Sequence, residues 1–66
     1  MPRYYVNQTP QANGDHEVHK ETCSYLPFRR TDIGEHASCY SAVQAAKRLY
    51  AQSNGCAYCS RECHTG

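Results

Sequence analysis

The chain has 66 residues, a formal net charge of +1, one Phe and no Trp. That length allows one domain at most, spanning 1–66, and the seven basic against six acidic residues leave no strong electrostatic footprint for a polyanion. No stretch approaches the length needed to cross a bilayer, and the start, Met1-Pro2-Arg3-Tyr4, lacks the apolar run of a signal peptide. The expected compartment is therefore cytoplasmic, where thiols are reduced.

A domain this small buries only roughly 60% of the surface its unfolded chain exposes. Its large aliphatics are few: Val6, Val18, Leu26, Ile33, Val43 and Leu49. Six tyrosines and five cysteines indicate a compact unit that needs a staple. A structural zinc supplies on the order of 10–16 kcal/mol of apparent binding energy, more than such a core can. Disulfides are the rival staple, but an odd number of cysteines leaves one thiol over.

Arg3-Tyr4-Tyr5-Val6-Asn7-Gln8 is rich in aromatic and β-branched residues and predicts a strand. Asn13-Gly14 ends a polar stretch and favours a turn, after which His16 to Lys20 forms the return strand of an antiparallel hairpin. Pro27 stops the segment that follows Cys23. Ile33-Gly34 reads either as a short third strand or as a turn. From Ser38 to about Gln52 the apolar positions Cys39, Ala42, Val43, Ala46, Leu49 and Tyr50 recur at helical spacing. Ser38 is the expected N-cap, or Ser41 with Gln44 a capping box for a later start. Lys47 and Arg48 fall where the helix dipole favours cations, and Asn54-Gly55 supplies a left-handed stop.

The helix delivers the chain into Cys56-Ala57-Tyr58-Cys59, two thiols that a tight turn can aim at one ion. Such a pair makes half of a tetrahedral zinc shell. His19-Lys20-Glu21-Thr22-Cys23 offers an imidazole and a thiol four positions apart to complete it. The expected ligands are thus His19, Cys23, Cys56 and Cys59, with Cys63, four residues beyond Cys59, as the alternative ligand. His64 and His16 are further candidates, His36 reads as unliganded, and Cys39 reads as a small core residue. A Cys39–Cys63 disulfide is open under oxidation, its geometry being beyond what sequence establishes. The C-x2-C spacing is also that of thioredoxin-like redox sites, but those lie at a helix N-terminus in a βαβ fold, whereas this pair follows a helix.

The order His19-x3-Cys23-Ser-Tyr-Leu26, a helix carrying Ala42, Val43 and Ala45, then Gly55-Cys56-Ala-Tyr-Cys59 resembles the Ada-type metal-binding domain. It is similar, more closely, to the small H-x3-C…C-x2-C modules appended to some bacterial nucleases. The resemblance covers about residues 16 to 63 and implies zinc held between a small sheet and a helix. Two departures stand out. His19 occupies the place of the Ada cysteine that accepts a methyl group, so methyl transfer is not implied there. Gly55 directly precedes Cys56, where those modules carry Gly, a variable residue and Pro.

The expected architecture is a small zinc-stapled α+β domain: a β-hairpin, with or without a third strand, packed on one helix and closed by a C-terminal zinc knuckle. No paired carboxylates, Ser-His-Asp order or phosphate-cradling loop appears, so the expected role is a binding or scaffolding module rather than an enzyme. The partner, protein or nucleic acid, is not named by the sequence. In the nucleic-acid alternative, Arg29, Arg30, Lys47, Arg48 and Arg61 would contact phosphates while Tyr25, Tyr50 and Tyr58 stack on bases. A third alternative is a thiol redox or metal-sensing protein using Cys39 or Cys63.

Overall fold

The computed structural model describes residues 1–65. Its elements are β1 (Arg3–Asn7), β2 (His16–Lys20), β3 (Arg30–Glu35), α1 (Cys39–Lys47), β4 (Ser53–Gly55) and a single 3-10 turn at Arg61–Cys63. The strands form one sheet in the order β3-β1-β2-β4, so the domain is α+β. No helix among the described residues is long and apolar enough to cross a membrane.

The hairpin forms where the alternating residues predict it. β1 and β2 pair antiparallel with Val6 opposite Val18 and Tyr5 opposite His19. Gly14 closes the turn with a φ of 92°, a conformation that costs glycine nothing and other residues a steric clash. Of the two readings of Ile33-Gly34, the strand is realised: β3 lies antiparallel against β1, with a register shift between Arg3 and Tyr5.

Because side chains alternate across a strand, Tyr4, Val6 and Val18 share one face of the sheet. There they meet Cys39, Ala42, Val43 and Ala46 of α1 in the core, with Ile33, Tyr50 and Cys63 at its margin. Three of these helix residues are no larger than Ala or Cys, which lets the helix approach the sheet closely but leaves little apolar volume. Burial by itself is thus a thin source of stability here.

The helix is shorter than its periodicity predicts. It stops at Lys47 rather than near Gln52, and Leu49 is 57% exposed. The amides of Leu49 and Tyr50 both turn back to the Ala46 carbonyl, which tightens the end and redirects the chain. Ser38 stands at the N-cap with extended backbone but makes no side-chain cap bond. Ser41 lies inside the helix, where its hydroxyl contacts the Ser38 carbonyl and the His36 ring, so no capping box forms with Gln44.

Asn54-Gly55 is not a left-handed helix stop. Ser53–Gly55 is the fourth strand, pairing parallel with β2 through His16↔Ser53, Glu17↔Asn54 and Val18↔Gly55. Gly55 is needed for space rather than for φ: a Cβ there would lie 2.8 Å from Cys63 Cβ and 2.9 Å from the Ser60 carbonyl oxygen. The Asn54 side chain is buried and fully used. Its Nδ2 donates to Asp15 and to the Thr65 carbonyl, while its Oδ1 accepts from the amides of Gly55 and Thr65.

Candidate metal centre

The parallel pairing of β2 and β4 explains how two distant sequence motifs meet. It sets the C-terminal ends of both strands side by side, and each end opens one motif. His19 stands one residue past Val18, which pairs with Gly55, and Cys56 stands one residue past Gly55. The Cys56 amide continues the ladder by donating to the Val18 carbonyl. Each strand then turns sharply. Cys23 N–H bonds back to the Lys20 carbonyl, and Ser60 N–H bonds back to the Cys56 carbonyl.

One ligand atom from each of His19, Cys23, Cys56 and Cys59 lies within 4.8 Å of every other. The Cys23 and Cys56 sulfurs are 3.9 Å apart. For zinc–sulfur bonds of about 2.3 Å, the edge of a tetrahedron is roughly 3.8 Å, so the spacing suits a single ion bound by all four. The group could hold a metal ion.

Backbone amides point at the sulfurs. Tyr25 N–H donates to Cys23 Sγ, Tyr58 N–H to Cys56 Sγ and Lys20 N–H to Cys59 Sγ, at 3.3–3.4 Å. Such donors stabilise negative charge on sulfur, the state in which a cysteine binds metal. The two turns are built alike: Cys23-Ser24-Tyr25 and Cys56-Ala57-Tyr58 each return the amide of the tyrosine to the cysteine two residues before it. The two rings then stack, 4.5 Å between centroids and 26° between planes. The repeated C-x-Y, visible in the sequence, was the available signal for this likeness.

Without a cation the site resists charge. Burial, together with the neighbouring Cys59 and Cys56, pushes the Cys23 thiol up to about 12, and burial likewise raises Cys56. Burial lowers the pKa of His19, against the opposing pull of Glu17. The Cys23 and Cys56 thiols and the His19 imidazole are therefore crowded together uncharged at neutral pH. A bound dication reverses the balance, since it deprotonates a coordinating thiol outright. The orphaned Nδ1 of His19 fits such an ion: it is a buried side-chain polar atom with no hydrogen-bond partner.

Cys63, the alternative ligand, lies elsewhere. The 3-10 turn aims it at the first residue of α1, where it forms a disulfide with Cys39 at a Cα–Cα distance of 6.2 Å. Its sulfur is consumed by that bond. Cys39 is a core residue as expected, and also half of the disulfide. The chain thus combines one disulfide with three free thiols, and the reduced-thiol argument from composition does not reach Cys39 and Cys63.

The other histidines have structural partners. His16 stacks on Tyr50 and contacts the Asn7 carbonyl, His36 bridges the Ile33 carbonyl and the Ser41 hydroxyl, and His64 contacts the Gly55 carbonyl. The five basic residues are exposed but lie in separate places: Arg29 just before and Arg30 at the start of β3, Lys47 at the end of α1 and Arg48 at its C-cap, and Arg61 in the 3-10 turn. Arg30 is already engaged, donating to the Pro27 carbonyl with its guanidinium 5.0 Å from the Tyr5 ring centroid. Tyr50 is half-buried against the core rather than free to stack on a base.

Beside the four candidate ligands lies an open cleft of about 370 Å³ lined by Lys20, Thr22, Cys23, Ser24, Tyr25, Tyr58 and Cys59. Compared with known protein families, curated proteins and solved structures, the chain matches none.

Proposed function

We propose that this chain is a structural zinc-binding module that serves as a binding or scaffolding domain and has no catalysis of its own. The observation that carries the reading is the convergence of one imidazole and three thiols, donated by the ends of two parallel strands, on one point. Soft sulfur donors with one nitrogen select zinc over calcium or magnesium, which take oxygen. Four protein donors fill a tetrahedral shell and leave no position for water or substrate, the arrangement of a structural site. The small core supports the same reading, because it leaves folding energy for the ion to supply.

The test is native mass spectrometry of freshly purified protein that has not been reconstituted, on wild type, His19→Ala and Cys63→Ser. One zinc is expected in wild type and in Cys63→Ser, and a loss of zinc in His19→Ala. Wild-type protein without metal would remove the reading. Zinc kept by His19→Ala but lost from Cys63→Ser would exchange the fourth ligand.

A second reading is supported by the stacked tyrosines. Tyr25 and Tyr58 are exposed beside the cleft that Lys20 also lines, an arrangement suited to single-stranded nucleic acid, and kinship with the Ada-type domain would belong to it. Binding of a single-stranded oligonucleotide that weakens as salt rises would favour this reading over a protein scaffold.

A further inference from the structure

We propose that Glu17 is a positioning residue that holds the His19 ring with its proton on Nε2, so that Nδ1 is the metal-binding nitrogen. This rests on the zinc-module reading. Glu17 and His19 are two positions apart on β2 and project from the same face of the sheet. One Glu17 carboxylate oxygen lies 3.4 Å from His19 Nε2, and His19 itself is 1% exposed. The other ring nitrogen, Nδ1, has neither solvent nor a hydrogen-bond partner.

A neutral imidazole carries one proton, so one nitrogen donates and the other accepts. A carboxylate can only accept, which places the proton on the nitrogen facing it and directs the free lone pair from the other. Metal-bound histidines characteristically give their second nitrogen to a carboxylate or carbonyl, which fixes the tautomer and raises ligand basicity. Here the two halves of that arrangement are present on one residue: an acid at Nε2 and an unmet buried lone pair at Nδ1. The reverse assignment would turn the protonated nitrogen toward a buried spot without an acceptor and leave the carboxylate facing a lone pair. Burying an unpartnered donor is costly, and the carboxylate–lone-pair contact is repulsive.

The decisive experiment is a long-range proton–nitrogen NMR spectrum of ¹⁵N-labelled wild-type protein loaded with zinc. The expected pattern has a metal-shifted Nδ1 and a protonated Nε2 on His19. Zinc-loaded protein in which Nε2 is the metal-shifted nitrogen would overturn the inference and leave the zinc module standing. Wild-type protein that takes up no zinc would overturn both. Competition with a chromophoric chelator supplies a second readout on Glu17→Gln and Glu17→Leu. Glu17→Gln keeps a carbonyl oxygen as acceptor and is expected to stay within about threefold of wild type. Glu17→Leu removes the acceptor at similar bulk and is expected to weaken zinc binding about 10–100-fold. Wild-type affinity in Glu17→Leu would count against the positioning role.

Discussion

The His19, Cys23, Cys56 and Cys59 group at the end of the sheet and the Cys39–Cys63 disulfide both bring the C-terminal segment against the rest of the chain, yet they place cysteine in opposite surroundings. At the candidate metal centre, sulfurs sit in tight turns that aim amides at them, donors that offset part of the cost burial puts on a thiolate. At the disulfide, Cys39 is on the apolar face of a helix, and no amide is directed at its sulfur among the described residues. Gly55 is where the two meet, with Cys56 as its neighbour in sequence and Cys63 packed over it in space. The difference teaches that local backbone, rather than the spacing of cysteines, separates the thiols grouped where an ion could bind from those joined in a covalent bond.

If the ion is the dominant staple, removing it has the largest effect. A strong chelator at neutral pH, or Cys56→Ser, is expected to abolish the cooperative unfolding transition seen by circular dichroism, because metal binding and folding are one equilibrium. Persistence of a cooperative fold after complete zinc removal would transfer the main role to the disulfide.

Acid comes next. His19 has a pKa below its ordinary 6.5 in the fold, so the unfolded chain takes up this proton first. Its contribution is present above pH 6.5 and is lost as pH falls below that value toward the lowered pKa of the folded state. The thiols act in the same direction through the ion. With Cys23 holding its proton up to about 12 in the metal-free site, zinc uptake at pH 7 must expel thiol protons. Calorimetry in buffers of different ionisation enthalpy should record the release of about three protons per zinc, one from each cysteine ligand. Uptake without proton release would mean that the thiols are not the ligands.

The disulfide is expected to matter less. Replacing Cys39 and Cys63 together by Ser should lower unfolding free energy by about 2–4 kcal/mol in denaturant titration. The same variant should retain one zinc. Loss of zinc in it would join the two regions into a single cooperative device and erase the contrast.

The smallest effect sharpens the boundary. Gly55→Ala is expected to cost about 1–3 kcal/mol, since its Cβ must displace the Cys63 backbone or side chain, both held by the disulfide. In the background lacking both Cys39 and Cys63 the cost should fall, because the 3-10 turn is then free to yield. An equal cost in both backgrounds would place the strain on Ser60 and the Cys56–Cys59 turn instead.

The proposed ligands were legible because metal binding imposes a local spacing that survives in sequence. His19-x3-Cys23 and Cys56-x2-Cys59 each bridge a single tight turn, and chains that make such turns show it in the string of residues. The hairpin was legible for a similar reason, through alternation on either side of Asn13-Gly14. The helix was legible in its first turns and overextended at its end, because Leu49 and Tyr50 continue the periodicity after the backbone has left it. Periodicity reports which residues can be apolar on one face, not where a competing strand begins.

That strand could not be found locally. Ser53, Asn54 and Gly55 carry weak strand propensity and look like a helix stop. They are extended because β2 offers them a parallel edge, and because Asn54 finds Asp15 and Thr65 as partners. By itself the sequence determined the class of fold, the hairpin and the two pairs of candidate ligands, all of which depend on residues within a few positions of one another. Tertiary structure decided that β4 pairs with β2, that Cys63 bonds to Cys39, and that Glu17 faces one nitrogen of His19 while the other stays bare. The first two depend on distances across the fold and the third on how the buried His19 ring is turned, none of which residue order encodes position by position.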